Sequence, residues 1–298
     1  MLRIEDLAAL VEAYRPATEA RVQSFEIAGR PFGAPGAPPA LMGVINLSPD
    51  SWYRESVCLS TESALRRART LTAQGAALID LGAESTLAHA ARADVSVQNS
   101  RLLPVVRALR AENLLVSVET YLPAVTEACL AAGANVLNLT GTDGTAELYE
   151  KVAGHDAAVI LCFVQGRNVR EVGDYRLAED PVPMLYEYFA RQCELAARSG
   201  VRRIFIDPGL GFYYRNLQDS GVRVRHQMRT FLHSFRLRTL GWPVCHALPH
   251  AFEYFGEEVR CAEPFFAVLA ALGKTDLFRT HEVARTRAVL ETLGAWES

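Results

Sequence analysis

LMGVINL at residues 41–47 opens the passage that decides the architecture. An almost wholly apolar run ends in an amide, and the amphipathic stretch TESALRRARTLTAQG (61–75) follows it. The pair then recurs as AALIDLG (76–82), LLVSVET (114–120), NVLNLTG (135–141), AAVILCFVQG (157–166), RRIFIDPG (202–209), WPVCHAL (242–248) and TDLFRTH (275–281), each followed by a helical pattern. Continuous apolar runs of this length are strands buried on both faces, so the sheet is parallel and covered by the intervening helices. Eight strand–helix units predict a (β/α)8 TIM barrel of roughly 250 residues, with a doubly wound open sheet as the alternative.

Upstream, MLRIEDLAALVEAYRP predicts a short amphipathic helix, and SFEIAGRPF predicts two short strands about a Gly turn. The linker GAPGAPPA (33–40) then separates an N-terminal helix-and-hairpin extension, residues 1–39, from one barrel spanning 40–298. The 298 residues carry a formal charge of −3, with 50% hydrophobic and 22% charged residues, which suits a soluble globular protein. That mildly acidic balance argues against a nucleic-acid partner. No run approaches the ~20 apolar residues of a membrane span, and the N-terminus lacks a signal-peptide layout. Six scattered cysteines without a CxxC pair predict free thiols in a reducing cytoplasm rather than disulfides or a metal cluster.

In a barrel the active site forms where strands end. Those positions supply Asn46 and Asp50, then Asp80, Glu84, Ser85 and Thr86, then Glu119 and Thr120. Asn138, Gln165, Asp207, His246 and His250, and finally Arg279 and His281 complete the circuit. Glu119, Asn138 and Asp207 offer two carboxylates and an amide, which suit the N–H edge of a flat heterocycle. Asn46, Arg279 and His281 stand on the first and last strands, adjacent on closure, and form an anion-binding arrangement in which the Asn46 carbonyl could reach a divalent ion. The expected site is bipolar, acidic at one end and phosphate-friendly at the other. The HxxxH spacing of His246 and His250 raises a zinc site as a lesser alternative.

At these residues the chain resembles the dihydropteroate synthase and pterin-binding family. MGVINLSPDSW is similar to that family's first signature and IDLGAEST to its second, while SVETY, VLNLTG, DPGLGF and FRTHEV follow in order, so the resemblance covers residues 41–283. It implies a transferase in which Asn46 helps hold the Mg²⁺-diphosphate of a hydroxymethyl-dihydropterin, with Arg279, His281 and Thr86 at the anion site. It further implies that Asn138 and Asp207 grip the pterin ring and that Phe212 packs on it. Glu119 stands where the family usually has Asp. Asn46, Glu119 and Asp207 would then be the catalytic residues, since departure of diphosphate leaves a pterin cation that carboxylates stabilise before an amine attacks. A homodimer through the last helices would fit the same resemblance.

The departures are concentrated elsewhere. The family's Ser-Arg-Lys after the seventh strand aligns with Pro249-His250-Ala251, and its second lysine position holds Tyr214. Ser-Thr-Arg-Pro reads Ser85-Thr86-Leu87-Ala88, and the Asp of the family's Asn-Asp pair is Leu139. Lys151 and Lys274 are the chain's only lysines, and neither position faces the expected site. Arg215, Arg223, Arg225, His246 and His250 remain as sources of positive charge, with His250 expected to contact substrate. The stretch FYYRNLQDSGVRVRHQMR reads either as a substrate lid or as a packed loop, and EYFGEEVRCAEPFF reads as an acidic surface turn leading into a helix. The expected activity is therefore transfer of a dihydropterin to an amine other than, or bound differently from, p-aminobenzoate. The alternatives are a catalytically silent pterin-binding paralogue acting as a regulatory or structural partner, and a methyltransferase-type pterin binder.

Overall fold

The computed structural model describes the chain except residues 52, 86–89, 143–144, 213, 218 and 297–298, and describes Arg215 by its backbone alone. Helices α1 (Ile4–Ala13) and α2 (Arg15–Thr18) lead into an antiparallel hairpin of β1 (Phe25–Ile27) and β2 (Arg30–Phe32). Its two-residue turn places Ala28 and Gly29 at φ +47° and +81°, the left-handed pair that matches the twist of the flanking strands. Strands and helices then alternate: β3 (Ala40–Asn46), α3 (Thr61–Ala73), β4 (Leu78–Gly82), α4 (Val95–Ala111), β5 (Val116–Thr120), α5 (Pro123–Ala131), β6 (Val136–Leu139) and α6 (Thr145–Gly154). They continue as β7 (Ala158–Cys162), α7 (Val182–Arg198), β8 (Ile204–Asp207), α8 (Ser220–His233), β9 (Cys245–Ala247), α9 (Phe252–Phe255), α10 (Ala262–Leu272), β10 (Leu277–Thr280) and α11 (Val283–Gly294).

Strands β3–β10 form one parallel sheet in the order β8-β7-β6-β5-β4-β3-β10-β9. A bridge between Ile206 and Val244, with the Ile206 N–H donating to the Pro243 carbonyl at 3.0 Å, brings β8 back to β9 and makes a TIM barrel. The open-sheet alternative is thereby excluded.

Side chains alternate across each strand. Ile45, Ile79, Leu81, Val118, Leu137 and Leu161 join helix residues such as Leu71, Leu102 and Leu148 in the outer core. Met42, Leu78, Val136, Ile160, Phe205 and Leu277 fill the lumen, and that inner core runs on into Ile27 and Phe32 of the hairpin. The rings of Phe25 and Phe32 meet Phe205 edge-on at 5.1 and 5.6 Å. Burying side chains of this size contributes about 1.5–3 kcal/mol each. The extension thus stops the N-terminal end of the barrel and leaves the C-terminal end as the open mouth. Among the described residues no helix is long and apolar enough to cross a membrane. All six cysteines are free, five of them buried and Cys261 half-buried.

Candidate functional site

The same alternation sends Asp80, Ser117, Glu119, Asn138, Asp207 and Arg279 into the upper lumen. The ladders set Glu119 beside Asn138, and Cys162 beside Asp207. Asp80 accepts from Ser117 Oγ at 2.6 Å, from Asn138 Nδ2 at 3.1 Å and from Arg279 Nε at 2.7 Å. Arg279 Nη2 donates to Glu119 Oε2 at 2.6 Å, and the Cys162 thiol donates to Asn138 Oδ1 at 3.3 Å. Asp207 Oδ1 caps the loop after β8 by accepting from Gly209 N at 2.8 Å. Gly209 has φ +74°, and a Cβ there would lie 2.1 Å from the Phe163 carbonyl, so the loop requires glycine.

Three carboxylates therefore face one guanidinium in a buried space. Burial raises Asp207 to about 6, against the lowering pull of the Gly209 N–H, the Arg279 charge and the Ala247 N–H. Burial also raises Glu119 to about 7; Arg279 pulls it down, while Asp80, Glu84 and Asp207 push it up. Desolvation opposes the charge on Arg279, but Asp80 and Glu119 outweigh it and hold the guanidinium protonated. The well stores excess negative charge that an N–H-rich ligand edge could take up.

Around the mouth, Asn46 donates Nδ2 to Ser56 Oγ at 2.6 Å, and Ser56 Oγ in turn donates to the Tyr53 carbonyl at 2.7 Å. The amide oxygen lies on the side of Gly82, where a Cβ would be 3.5 Å away. The His281 ring stacks on Tyr53 at 4.5 Å and 17°. Its Nδ1 donates to Glu263 Oε1 at 2.6 Å, and its backbone N–H donates to Glu263 Oε2 at 2.8 Å. Burial works to raise Glu263, but the His281 charge and these bonds bring it below the usual carboxylate range. Tyr53 and Arg260 both hydrogen-bond Glu282. Asn46, Glu119, Phe212, His250, Arg279 and His281 line one cleft together.

Several expectations change here. Arg279, expected beside Asn46 and His281, lines the same cleft as both, and its guanidinium is paired with Asp80 and Glu119. His246 has the opposite parity: its Nε2 meets Ser234 Oγ at 2.6 Å, its ring packs edge-on against Phe231, and burial drives it down to about 3. It is outside the cleft and cannot join His250, and among the described residues no His/Cys/Asp/Glu group could hold a metal ion. Thr120 also faces outward, donating to Gln98 Oε1 at 3.0 Å. Glu263, expected on an acidic surface turn, is buried; Phe266 is buried beside it, while Phe265 is 41% exposed. Thr86, with Leu87 and Ala88, lies outside the described residues.

The loop after β8 packs down at its centre. Tyr214 is buried, its ring against Tyr175 at 4.9 Å, and its hydroxyl accepts from Gln165 N at 3.1 Å. Ala251 is 1% exposed. The two positions where the resembled family carries lysine are thus closed by apolar packing. Lys151 pairs with Glu127 and Glu147, and Lys274 donates to the Thr18 carbonyl, both away from the cleft. His250 packs over Phe252 at 4.1 Å, and its imidazole is lowered to about 4, chiefly by burial, with the Arg223 charge adding to the effect.

Sequence reasoning missed Arg170. From the loop after β7 it donates to the carbonyls of Ser85 at 2.8 Å and Ala90 at 2.7 Å, across the loop after β4. Glu84 on that loop accepts from Ala93 N at 3.0 Å and from the Tyr121 hydroxyl at 2.8 Å. Nothing in the strand-end pattern marks Arg170, because it reaches the mouth from mid-loop.

The family model for pterin binding enzymes matches residues 42–247. The chain is 28% identical to a dihydropteroate synthase of Synechocystis over 258 residues, 82% of this chain and 85% of that one. It is 29% identical over 285 residues to a Mycobacterium tuberculosis protein named inactive dihydropteroate synthase 2, covering 90% and 86% of the two chains. Among solved structures, dihydropteroate synthase of Xanthomonas albilineans in complex with 7,8-dihydropteroate superposes with a TM-score of 0.73 at 26% identity, covering 93% of this chain and 99% of that one.

Proposed function

The chain belongs to the pterin-binding enzymes, and from that premise we propose that it binds a dihydropterin diphosphate and joins the pterin to an amine other than, or held differently from, 4-aminobenzoate. The observation that carries this reading is the acidic well, in which Asp80, Glu119 and Asp207 answer a single guanidinium. Carboxylates accept from guanidine-like N–H pairs, so Asp207 and Glu119 take the N–H edge of the ring, with Asn138 beside them. Phe212 and Leu248 offer the apolar cleft wall against which the ring lies.

At the other end, Asn46 and the Glu263-held His281 receive the diphosphate. The donor set there fits a Mg²⁺ ion that arrives with phosphate, because Ser56 fixes the Asn46 amide nitrogen and leaves Oδ1 as an oxygen ligand. Mg²⁺ sites of this kind take one or two protein oxygens plus substrate phosphates. Bound there, the ion would neutralise charge developing on the leaving group. The C–O bond breaks with its electron pair on the diphosphate, the amine nitrogen forms the C–N bond, and one proton leaves that nitrogen. Glu119 and Asp207 face the cationic pterin carbon skeleton across this step and lower its cost electrostatically.

A second reading, a pterin binder without turnover, is favoured by the buried Tyr214 and Ala251 at the positions where the resembled family carries lysine, and by the similarity to the mycobacterial inactive dihydropteroate synthase 2. One assay separates the two: diphosphate release from hydroxymethyl-dihydropterin diphosphate with and without a panel of arylamines. Release that depends on an amine supports transfer. Tight binding with no release for any amine supports the second reading.

A further inference from the structure

Arg170 ties the loop after β7 to the loop after β4. It stands on a fixed base: its N–H donates to Asn168 Oδ1 at 2.9 Å, and the Val169 N–H beside it donates to the Thr140 carbonyl at 3.0 Å. From there its guanidinium grips two carbonyls of the loop after β4, Ser85 at 2.8 Å through Nη1 and Ala90 at 2.7 Å through Nη2. Its Nε lies 3.8 Å from Glu84 Oε1, in an ion pair whose side chains are 3% and 8% exposed. Arg92 returns the grip, its Nη2 donating to the Arg170 carbonyl at 3.2 Å. A planar guanidinium fork serves two acceptors at once in a fixed geometry, which a single ammonium does not reproduce.

The grip passes on towards the cleft. Ser85, held by its carbonyl, donates Oγ to the Asp50 carbonyl at 3.2 Å, so the loop after β4 is pinned to the loop after β3. That second loop leaves from Asn46, and its Cys58 N–H returns to the Asn46 carbonyl at 2.8 Å. Asn46, Ser51, Glu84 and Ser85 all line the cleft. They form the edge at which Asn46 is taken above to receive the diphosphate. Bonded polar networks of this kind rigidify the segments they join.

We propose that Arg170 is the positioning residue of the diphosphate end: by gripping Ser85 and Ala90 it holds the loop after β4 against the loop after β3, and so sets the cleft edge at Asn46, Ser51 and Ser85. The inference rests on the diphosphate-binding reading above and adds to it a residue that acts through Ser85.

The test compares the full-length wild type, R170K and S85A. R170K keeps the positive charge beside Glu84 and removes the fork, while S85A removes the bond to Asp50. Hydrogen exchange of the free protein reads the bonded Leu47, Ser56, Val57 and Cys58 amides around the loop after β3, against the Val159 and Ile206 amides of the distant strands β7 and β8. In both variants the first set is expected to exchange at least about fivefold faster relative to the second. Calorimetric titration with Mg²⁺ then compares dihydropterin diphosphate with hydroxymethyl-dihydropterin, which lacks the diphosphate. R170K is expected to lose at least about fivefold in affinity for the first ligand and to stay within about twofold for the second. Equal exchange shifts in the two sets of amides, or none, would overturn the proposal, because a residue that merely supports the barrel moves both together. If wild type binds the diphosphate ligand and R170K shows no selective loss, the positioning role fails while the proposed function stands. If wild type binds neither ligand, the proposed function fails, and exchange in the free protein still decides whether Arg170 sets this edge.

Discussion

From β4 across β5 and β6 and over to β10, the floor of the cleft is one bonded network, with Arg279 reaching Asp80 and Glu119 and with Asn138 on Asp80. Beyond β8 and β9 the rim is different: Tyr214, Leu248 and Ala251 are buried, and Arg223 is answered by Glu253. The floor sets three carboxylates against one guanidinium, while at the rim Arg223 and Glu253 pair off. On the reading proposed above, the floor supplies acceptors for an N–H edge, while the rim cation Arg223 is already paired.

The largest expected effect breaks the floor. Arg279→Met leaves Asp80 and Glu119 buried without their counter-charge and should cost about 3–5 kcal/mol in chemical denaturation. The matched rim change, Arg223→Met, exposes only the half-exposed Glu253 to loss and should cost about 1 kcal/mol or less. Equal losses at the two arginines would erase the contrast drawn here.

Next comes recognition. Asp207→Asn removes a charged acceptor and should weaken dihydropterin binding roughly 10- to 100-fold. A pterin affinity equal to wild type would remove Asp207 from the ring edge.

The pH dependence follows in size. Asp207 and Glu119 sit above their ordinary values, at about 6 and about 7, so the free protein holds protons that an N–H edge must displace. Binding should release protons and weaken at least about fourfold from about pH 7.5 to about pH 5.5. The same raised values mean that ionisation penalises the folded state, so these two groups contribute less to stability as pH climbs from about 4 to about 7. Calorimetry in buffers of different ionisation enthalpy reads the proton count, and proton uptake would contradict the assignment.

The smallest effect lies at the rim. Tyr214→Phe loses the hydrogen bond from Gln165 N and should lower stability by about 1 kcal/mol without touching pterin affinity. A larger loss of affinity than of stability would return Tyr214 to the site.

The eight strands were legible because each is a continuous apolar run, a pattern that only a two-sided burial explains. The inward residues Asp80, Glu119, Asn138, Asp207 and Arg279 were legible as polar groups at strand ends. Their partnerships were not, since a place at a strand end does not say which side chains meet across the lumen. Counting parity from the buried residues separates His246 and Thr120, which face out, from Arg279, which faces in. Arg170 and Glu263 escaped for another reason: they enter from a loop and a helix, where no strand-end rule applies.

The central claim is that the acidic well binds a pterin through Asp207. Isothermal titration of wild type and D207N with dihydropterin diphosphate and Mg²⁺ tests it directly. The account expects saturable binding by wild type that weakens by at least about tenfold in D207N. No binding by wild type at millimolar ligand, or equal binding by the two proteins, would contradict it.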